Sequence, residues 1–510
     1  MPIDAHAHLP EGLQRALEAR LARLSSERVI ERVWAGDHTV WKPHPTEIAN
    51  RLGWLQAPWW AAERVDELGA LRRELLDEGF TDLLLMGMGG SSLAASVLAA
   101  LAEGEGLRFH LLDTTNPEEI AAIEQAVDLE RTLFVVASKS GTTIETVSHL
   151  AYFWERLPRG SAFVAITDDG TPLARLAAER GFRRLLLNPA DIGGRYSALS
   201  YFGLGPAVLC GLDPMPLLGA AQEMATACKA PAAENPAAWL GVLLGEAARA
   251  GRDKLHLFLP PDAPPLAAWI EQLVAESTGK DGVGILPVNG DGLIGRRADA
   301  LRDRIVVADS AWGGELPEEV PAVRLPAEAR GAAIGAAFFR WEFATAIAGH
   351  VLAINPFDQP NVQEAKDATA QALQGALPPV EPDPLPAVLE ELRPGWYAAI
   401  LAWVAETDEH DARLRAAAER LQQRSGCPVT LGYGPRYLHS TGQLHKGGSD
   451  RGVFIQVVGP RAVDLPVPGK PYTFGQLYDA QAAGDLASLR ARGRRVARVT
   501  LEELEEALQS

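Results

Sequence analysis

The sequence predicts an α/β protein built on parallel sheets, and two observations carry that prediction. Short apolar runs end in glycine or hydroxyl-rich turns and lead into helical patterns, from about residue 80 to 195 and again from Arg252. The runs are apolar without alternation, as strands covered by helices on both faces are.

Residues 1–75 read as a helical N-terminal extension with a Trp- and Pro-rich middle. The first doubly wound domain spans 76–215. Its strand–turn–helix units begin at "TDLLLMGMGG", "LRFHLLDTTNPEE", "RTLFVVASKSGTT" and "SAFVAITDDGTP", with "RRLLLNPADIGG" as the fifth run. A second such domain with connecting helices spans 216–377, with strands in "DKLHLFLPPD", "VGILPV" and "DRIVVADS". Its apolar stretch "GAAIGAAFFRWEFATAIAGHVLAI" carries Arg340, Glu342 and His350, which marks a buried core helix rather than a membrane span. The Pro-rich "PPVEPDPLPAV" then introduces a smaller α/β portion over 378–510.

Bulk composition narrows the function classes. The 510 residues are 47% hydrophobic and 22% charged, and the formal net charge is -18, with no basic block to attract nucleic acid. Cys210, Cys228 and Cys427 are isolated, as in a reducing compartment. The start "MPIDAHAHLPEGLQ" lacks the pattern of a signal peptide, so a cytoplasmic protein without membrane or nucleic-acid partners is expected. His6 and His8 imitate an HxH metal pair, but no apolar strand precedes them and no later ligand set completes it.

Five segments carry candidate chemistry. In "SKSGTT", Ser138, Ser140 and Thr143 offer hydroxyls, Lys139 a charge and Gly141 close backbone approach, where a strand end meets a helix N-terminus. A polar turn with a Thr142–Glu145 capping box explains the same residues. "MGMGGSSLAAS" places Gly90 and Ser91 at a second such junction; Asp113, ending the next run, keeps a nucleotide-binding reading open. "GGRYS" sets Arg195 behind Gly194, and "AESTGK" sets Glu276 near a helix end with Lys280 as a possible ion partner. "FDQPNVQEAK" places Gln359 and Lys366 about two helical turns apart, able to face one cleft.

Taken together and in this order, the five segments resemble the phosphoglucose isomerase family over about residues 80 to 375. The N-terminal "VWAGDHTVWKPHPTEIANRLGWL" and the C-terminal "YLHSTGQLHKGG" look more like the isomerase half of bacterial transaldolase/phosphoglucose isomerase fusions. No transaldolase half precedes them here, so only isomerase activity is expected. The resemblance implies two sugar-isomerase (SIS) domains and interconversion of glucose 6-phosphate and fructose 6-phosphate through a cis-enediolate, in glycolysis and gluconeogenesis. It implies a phosphate cradle of Ser138, Lys139, Ser140 and Thr143, with Gly90, Ser91 and Gly194 beside it. Glu276 would be the base, Arg195 would stabilise the oxyanion, Gln359 would hold substrate and Lys366 would assist ring opening. No metal or organic cofactor is implied.

One departure concerns ring opening. Family members carry a Gly-Gln-His segment before the FDQ segment, and its histidine comes from the neighbouring subunit, which implies a homodimer. Here only His350 lies between Glu276 and Gln359. "STGQLHKGG" follows later with Leu444 inserted, which makes His445 the first candidate and His439 the second. Competing expectations are an isomerase of another anionic hexose, a non-catalytic sugar-phosphate sensor and, last, a nucleotide-dependent oxidoreductase.

Overall fold

The computed structural model describes residues 7–289 and 301–509. Three sheets organise it. A two-residue strand β1 (Ala7–His8) adds antiparallel to the edge of the second sheet, so the N-terminal extension is not purely helical. His8 lies in this strand, and His6 falls outside the described residues.

The first sheet comprises β2 (Asp82–Met86), β3 (Arg108–Leu112), β4 (Thr132–Ala137), β5 (Phe163–Thr167) and β6 (Arg184–Leu187). All its pairings are parallel and its order is β3-β2-β4-β5-β6. Every residue of β2, β4 and β5 is buried, which is why these runs show no polar alternation. The chain reverses its direction of travel across the sheet between β2 and β4. The loops leaving their carboxyl ends diverge there, which opens a crevice.

The second sheet contains β7 (Lys254–Phe258), β8 (Leu286–Asn289), β9 (Arg304–Asp309) and β10 (Ala322–Leu325), in the order β1-β10-β9-β7-β8. The apolar stretch forms the helix Ile334–Val351, buried against the helix Pro236–Arg249. Arg340 on it is neutralised by Glu328 through two hydrogen bonds of 2.8 and 2.6 Å. No described helix is long and apolar enough to cross a membrane.

The C-terminal portion is a third parallel sheet, with β11 (Tyr397–Trp403), β12 (Val429–Tyr433), β13 (Gly452–Val458) and β14 (Arg495–Val499) in the order β12-β11-β13-β14. It is joined to the second sheet by an apolar cluster that includes Ala275, Leu286, Leu444, Phe454 and Tyr478. Its helix Phe474–Ala491 packs along the helix Pro360–Leu373. This packing brings the turn Arg436–His439, just past β12, against the Gly89–Ser91 turn of the first sheet.

Candidate active site

A cavity of about 590 Å³ opens at the β2/β4 crevice. It is lined by residues from all three parts of the chain: Gly90, Ser91, Lys139, Ser140 and Thr143; then Gly194, Arg195, Glu276, Gln359 and Lys366; and His439. Of the sequence-predicted site residues, Ser138 and His445 are outside the lining.

The glycine–serine loop is shaped by contact. Gly89 has φ +53, and a side chain there would meet the His439 carbonyl oxygen at 2.6 Å. A Cβ on Gly90 would lie 2.3 Å from the Gly194 carbonyl oxygen. Gly90→Ala therefore displaces the turn that carries Arg195. An activity loss of about 10²-fold is expected together with a lowered thermal midpoint, measured by steady-state kinetics and calorimetry.

The hydroxyl loop is ordered from within. Ser138 is buried and its Oγ bonds Thr143 Oγ1 at 2.9 Å and accepts from the Gly141 amide at 3.1 Å, so it braces the loop. Ser140 and Thr142 share a hydroxyl–hydroxyl bond of 2.9 Å at the exposed rim. Lys139 is turned to Asp168 and to the Ala190 carbonyl (2.8 Å), so its charge is already shared with a carboxylate that burial pushes up despite the lysine.

The capping box is not formed. The helix Ile144–Arg156 starts after Thr143 without a side-chain cap. Glu145 instead turns inward, where it accepts from Gln481 Nε2 at 2.7 Å and bonds His439 Nε2 at 2.9 Å. Burial pushes the Glu145 carboxyl up, but the charge and hydrogen bond of His439 outweigh it and hold the group below the usual range.

Arg195 is 3% exposed and fixed by five hydrogen bonds. Its Nε donates to Ser277 Oγ (2.7 Å), and its Nη1 to Glu276 Oε1 (3.1 Å) and Gln359 Oε1 (2.7 Å). Its Nη2 donates to the carbonyls of Pro356 (2.6 Å) and Asp358 (3.0 Å). Glu276, 8% exposed, also accepts from Gln272 Nε2 at 3.1 Å. Lys280 does not pair with Glu276; its ammonium holds Asp358 Oδ1 (2.7 Å) and the Asp358 carbonyl (2.6 Å).

The Lys280 position has a pH consequence. Burial, then the Arg195 charge, lowers its pKa to about 8 against the pull of Asp358. The penalty for burying this charge is present below about pH 8 and fades as pH rises towards the free-lysine value of 10.5. The charged form, which anchors Asp358 behind Arg195, is lost over the same rise. A descending limb of kcat near pH 8 is expected, and Lys280→Arg, charged throughout, should remove it.

Asp113 forms a bidentate pair with Arg436, both bonds 2.8 Å. The carboxylate that kept a nucleotide reading open is thus engaged by an arginine.

The phosphoglucose isomerase family model matches residues 75–285, the stretch from the first sheet through the Glu276 helix. A glucose-6-phosphate isomerase of Carboxydothermus hydrogenoformans is 29% identical over 398 residues, covering 63% of this chain and 84% of the relative.

Over residues 75–285 the chain is similar to the phosphoglucose isomerase family.

A glucose-6-phosphate isomerase of Thermus thermophilus is 33% identical over 249 residues, where the match spans 46% of this chain and 57% of that relative. The crystal structure of a glucose-6-phosphate isomerase from Chlamydia trachomatis superposes with a TM-score of 0.61 at 20% identity, covering 72% of this chain and 86% of that one, which supports the shared fold. The two larger sheets form the α/β fold that this superposition supports.

Within this scaffold the two histidines separate clearly. His445 sits on the helix Gly442–Gly447, 2% exposed, packed among Tyr397, Tyr437 and Phe454, with Nδ1 3.2 Å from the Tyr397 hydroxyl. Burial, reinforced by Lys446 and Arg494, lowers its pKa to about 3, so it is neutral at pH 7 and remote from the cavity lining. His439 lines the cavity, with Nε2 committed to Glu145. Arg51 and Gln272 also line it and went unnoticed in the sequence, where nothing local marks them.

Proposed function

We propose that this chain is an aldose–ketose isomerase that interconverts glucose 6-phosphate and fructose 6-phosphate. The observation that carries the proposal is the Glu276 carboxylate 3.1 Å from the Arg195 guanidinium, in one cavity with Lys366, His439 and the hydroxyls of Ser91, Ser140 and Thr143. A sensor has no use for a positioned base; an isomerase needs one. The names of the relatives point to the same activity.

In the proposed cycle the hydroxyl loop and its helix N-terminus receive the phosphate. His439, steadied by Glu145, and Lys366 move the proton that opens the ring. Glu276 takes the C2 proton of the aldose as the C1 carbonyl becomes an enediolate oxygen. The C2 hydroxyl proton passes to the C1 oxygen, and returning the carbon proton to C1 while the C2 oxygen forms a carbonyl gives the ketose. Arg195 places its positive charge beside the oxygen on which negative charge develops; its five N–H donors are all engaged, so it acts through that charge rather than through a free donor. With His439 lining the cavity, the ring opening proposed here uses an imidazole of the same chain.

The test is conversion of fructose 6-phosphate to glucose 6-phosphate by the purified protein, read through a coupled dehydrogenase. Turnover is expected without added metal or nucleotide. Saturable binding of fructose 6-phosphate with no turnover would replace the enzyme by a sensor, and turnover of only another anionic hexose would reassign the substrate.

A further inference from the structure

A second cavity, again about 590 Å³, lies directly behind the first. The two share Lys366 and His439 in their linings. Their chemistry differs. The walls of the second are apolar, formed by Ile144, Ala370, Leu373, Leu438 and the Pro471–Tyr472 pair. Its volume falls in the range of small-molecule sites, which are commonly apolar with a few placed charges. The charges here are two ammonium groups, Lys366 and Lys470. Neither has a hydrogen-bond or ion-pair partner among the described residues. The Glu145 carboxylate in the same wall is already bonded to His439 and Gln481.

From this juxtaposition of an apolar chamber with the unpaired Lys470 and with Lys366 and His439, both shared with the sugar cavity, we infer that it is an effector site for a small aromatic anion. The Tyr472 ring and the aliphatic wall suit a flat apolar body, and the lysines suit a single sulfonate, carboxylate or phosphate. The charge complementarity is local: the chain as a whole carries -18, yet this chamber presents two cations without partners. The chamber is not an extension of the sugar site. Its walls are apolar, whereas the first cavity is lined mainly by hydroxyl, amide and charged groups. An occupant would draw Lys366 and His439 away from the sugar and oppose its binding. This last step rests on the isomerase reading; the binding itself does not.

The experiment uses anilinonaphthalene sulfonate, an aromatic anion whose fluorescence rises on transfer to an apolar site. The full chain is expected to bind one equivalent saturably, and the bound probe should raise KM for fructose 6-phosphate. Ala370→Trp, which fills the chamber from an exposed helical position, should abolish binding. Lys470→Glu should weaken it by about tenfold or more. Both variants should keep wild-type kcat. Absence of saturable binding, or equal binding by wild type and Ala370→Trp, would overturn the site. Loss in Ala370→Trp with no change in Lys470→Glu would overturn its anion selectivity. Binding without a change in KM would overturn the coupling. A chain that binds the probe but turns over no hexose phosphate would leave the site standing and remove the isomerase reading.

Discussion

Glu276→Gln is expected to lower kcat for hexose phosphate interconversion by about 10² to 10⁴-fold. The substitution keeps the shape of the side chain and an oxygen able to accept from Arg195 Nη1, now 3.1 Å from Oε1. It removes the one property the mechanism demands, a basic oxygen able to take a proton from carbon. The phosphate-binding loop is on a different sheet and is untouched, so KM should change far less than kcat, the signature of an interaction made in the transition state. Steady-state kinetics in both directions, with fructose 6-phosphate binding measured separately, checks this.

The second large effect separates two histidines six residues apart. His439→Gln should reduce turnover of the cyclic substrate by about 10² to 10⁴-fold, because the proton that opens the ring loses its carrier. Open-chain substrate, the minor form in solution, should be processed with a much smaller defect. That split distinguishes a ring-opening role from general damage to the site. His445→Gln should leave kcat nearly intact and act on stability instead. It exchanges an imidazole packed among Tyr397, Tyr437 and Phe454 for an amide in a buried setting. Such an exchange costs about 1–3 kcal/mol when a buried polar group loses its partner. Equal kinetic losses in both variants would contradict the assignment.

The contrast between these histidines shows what a sequence discloses. Runs such as "TLFVVA" announce β4 because burial on both faces leaves a local mark, and the hydroxyls that follow announce a strand-end loop. The five segments that meet at the cavity were legible for the same reason: each is a short pattern tied to one turn. The bond between His439 and Glu145 spans 294 positions and leaves no such trace. Read locally, Glu145 fits a helix cap, whereas the fold turns it to the third sheet. His445 attracted attention through the letters around it. The stronger signal was topological: His439 follows "VTLGY", a parallel strand, and ligands gather at the carboxyl ends of such strands, while His445 lies on a helix one turn further on. The Lys280–Asp358 pair was equally invisible, because a partner four residues away in Glu276 offered a simpler account.

The central claim is that Glu276 moves a proton between two carbons of an open-chain hexose phosphate. The most direct measurement is proton NMR of fructose 6-phosphate and glucose 6-phosphate held at equilibrium with the protein in deuterium oxide. A proton carried by a carboxylate exchanges with solvent over many turnovers, so deuterium should accumulate at C1 of the ketose and C2 of the aldose with wild type, and not with Glu276→Gln. Interconversion with the carbon-bound hydrogens fully retained after many turnovers, or equal labelling by the variant, would contradict it.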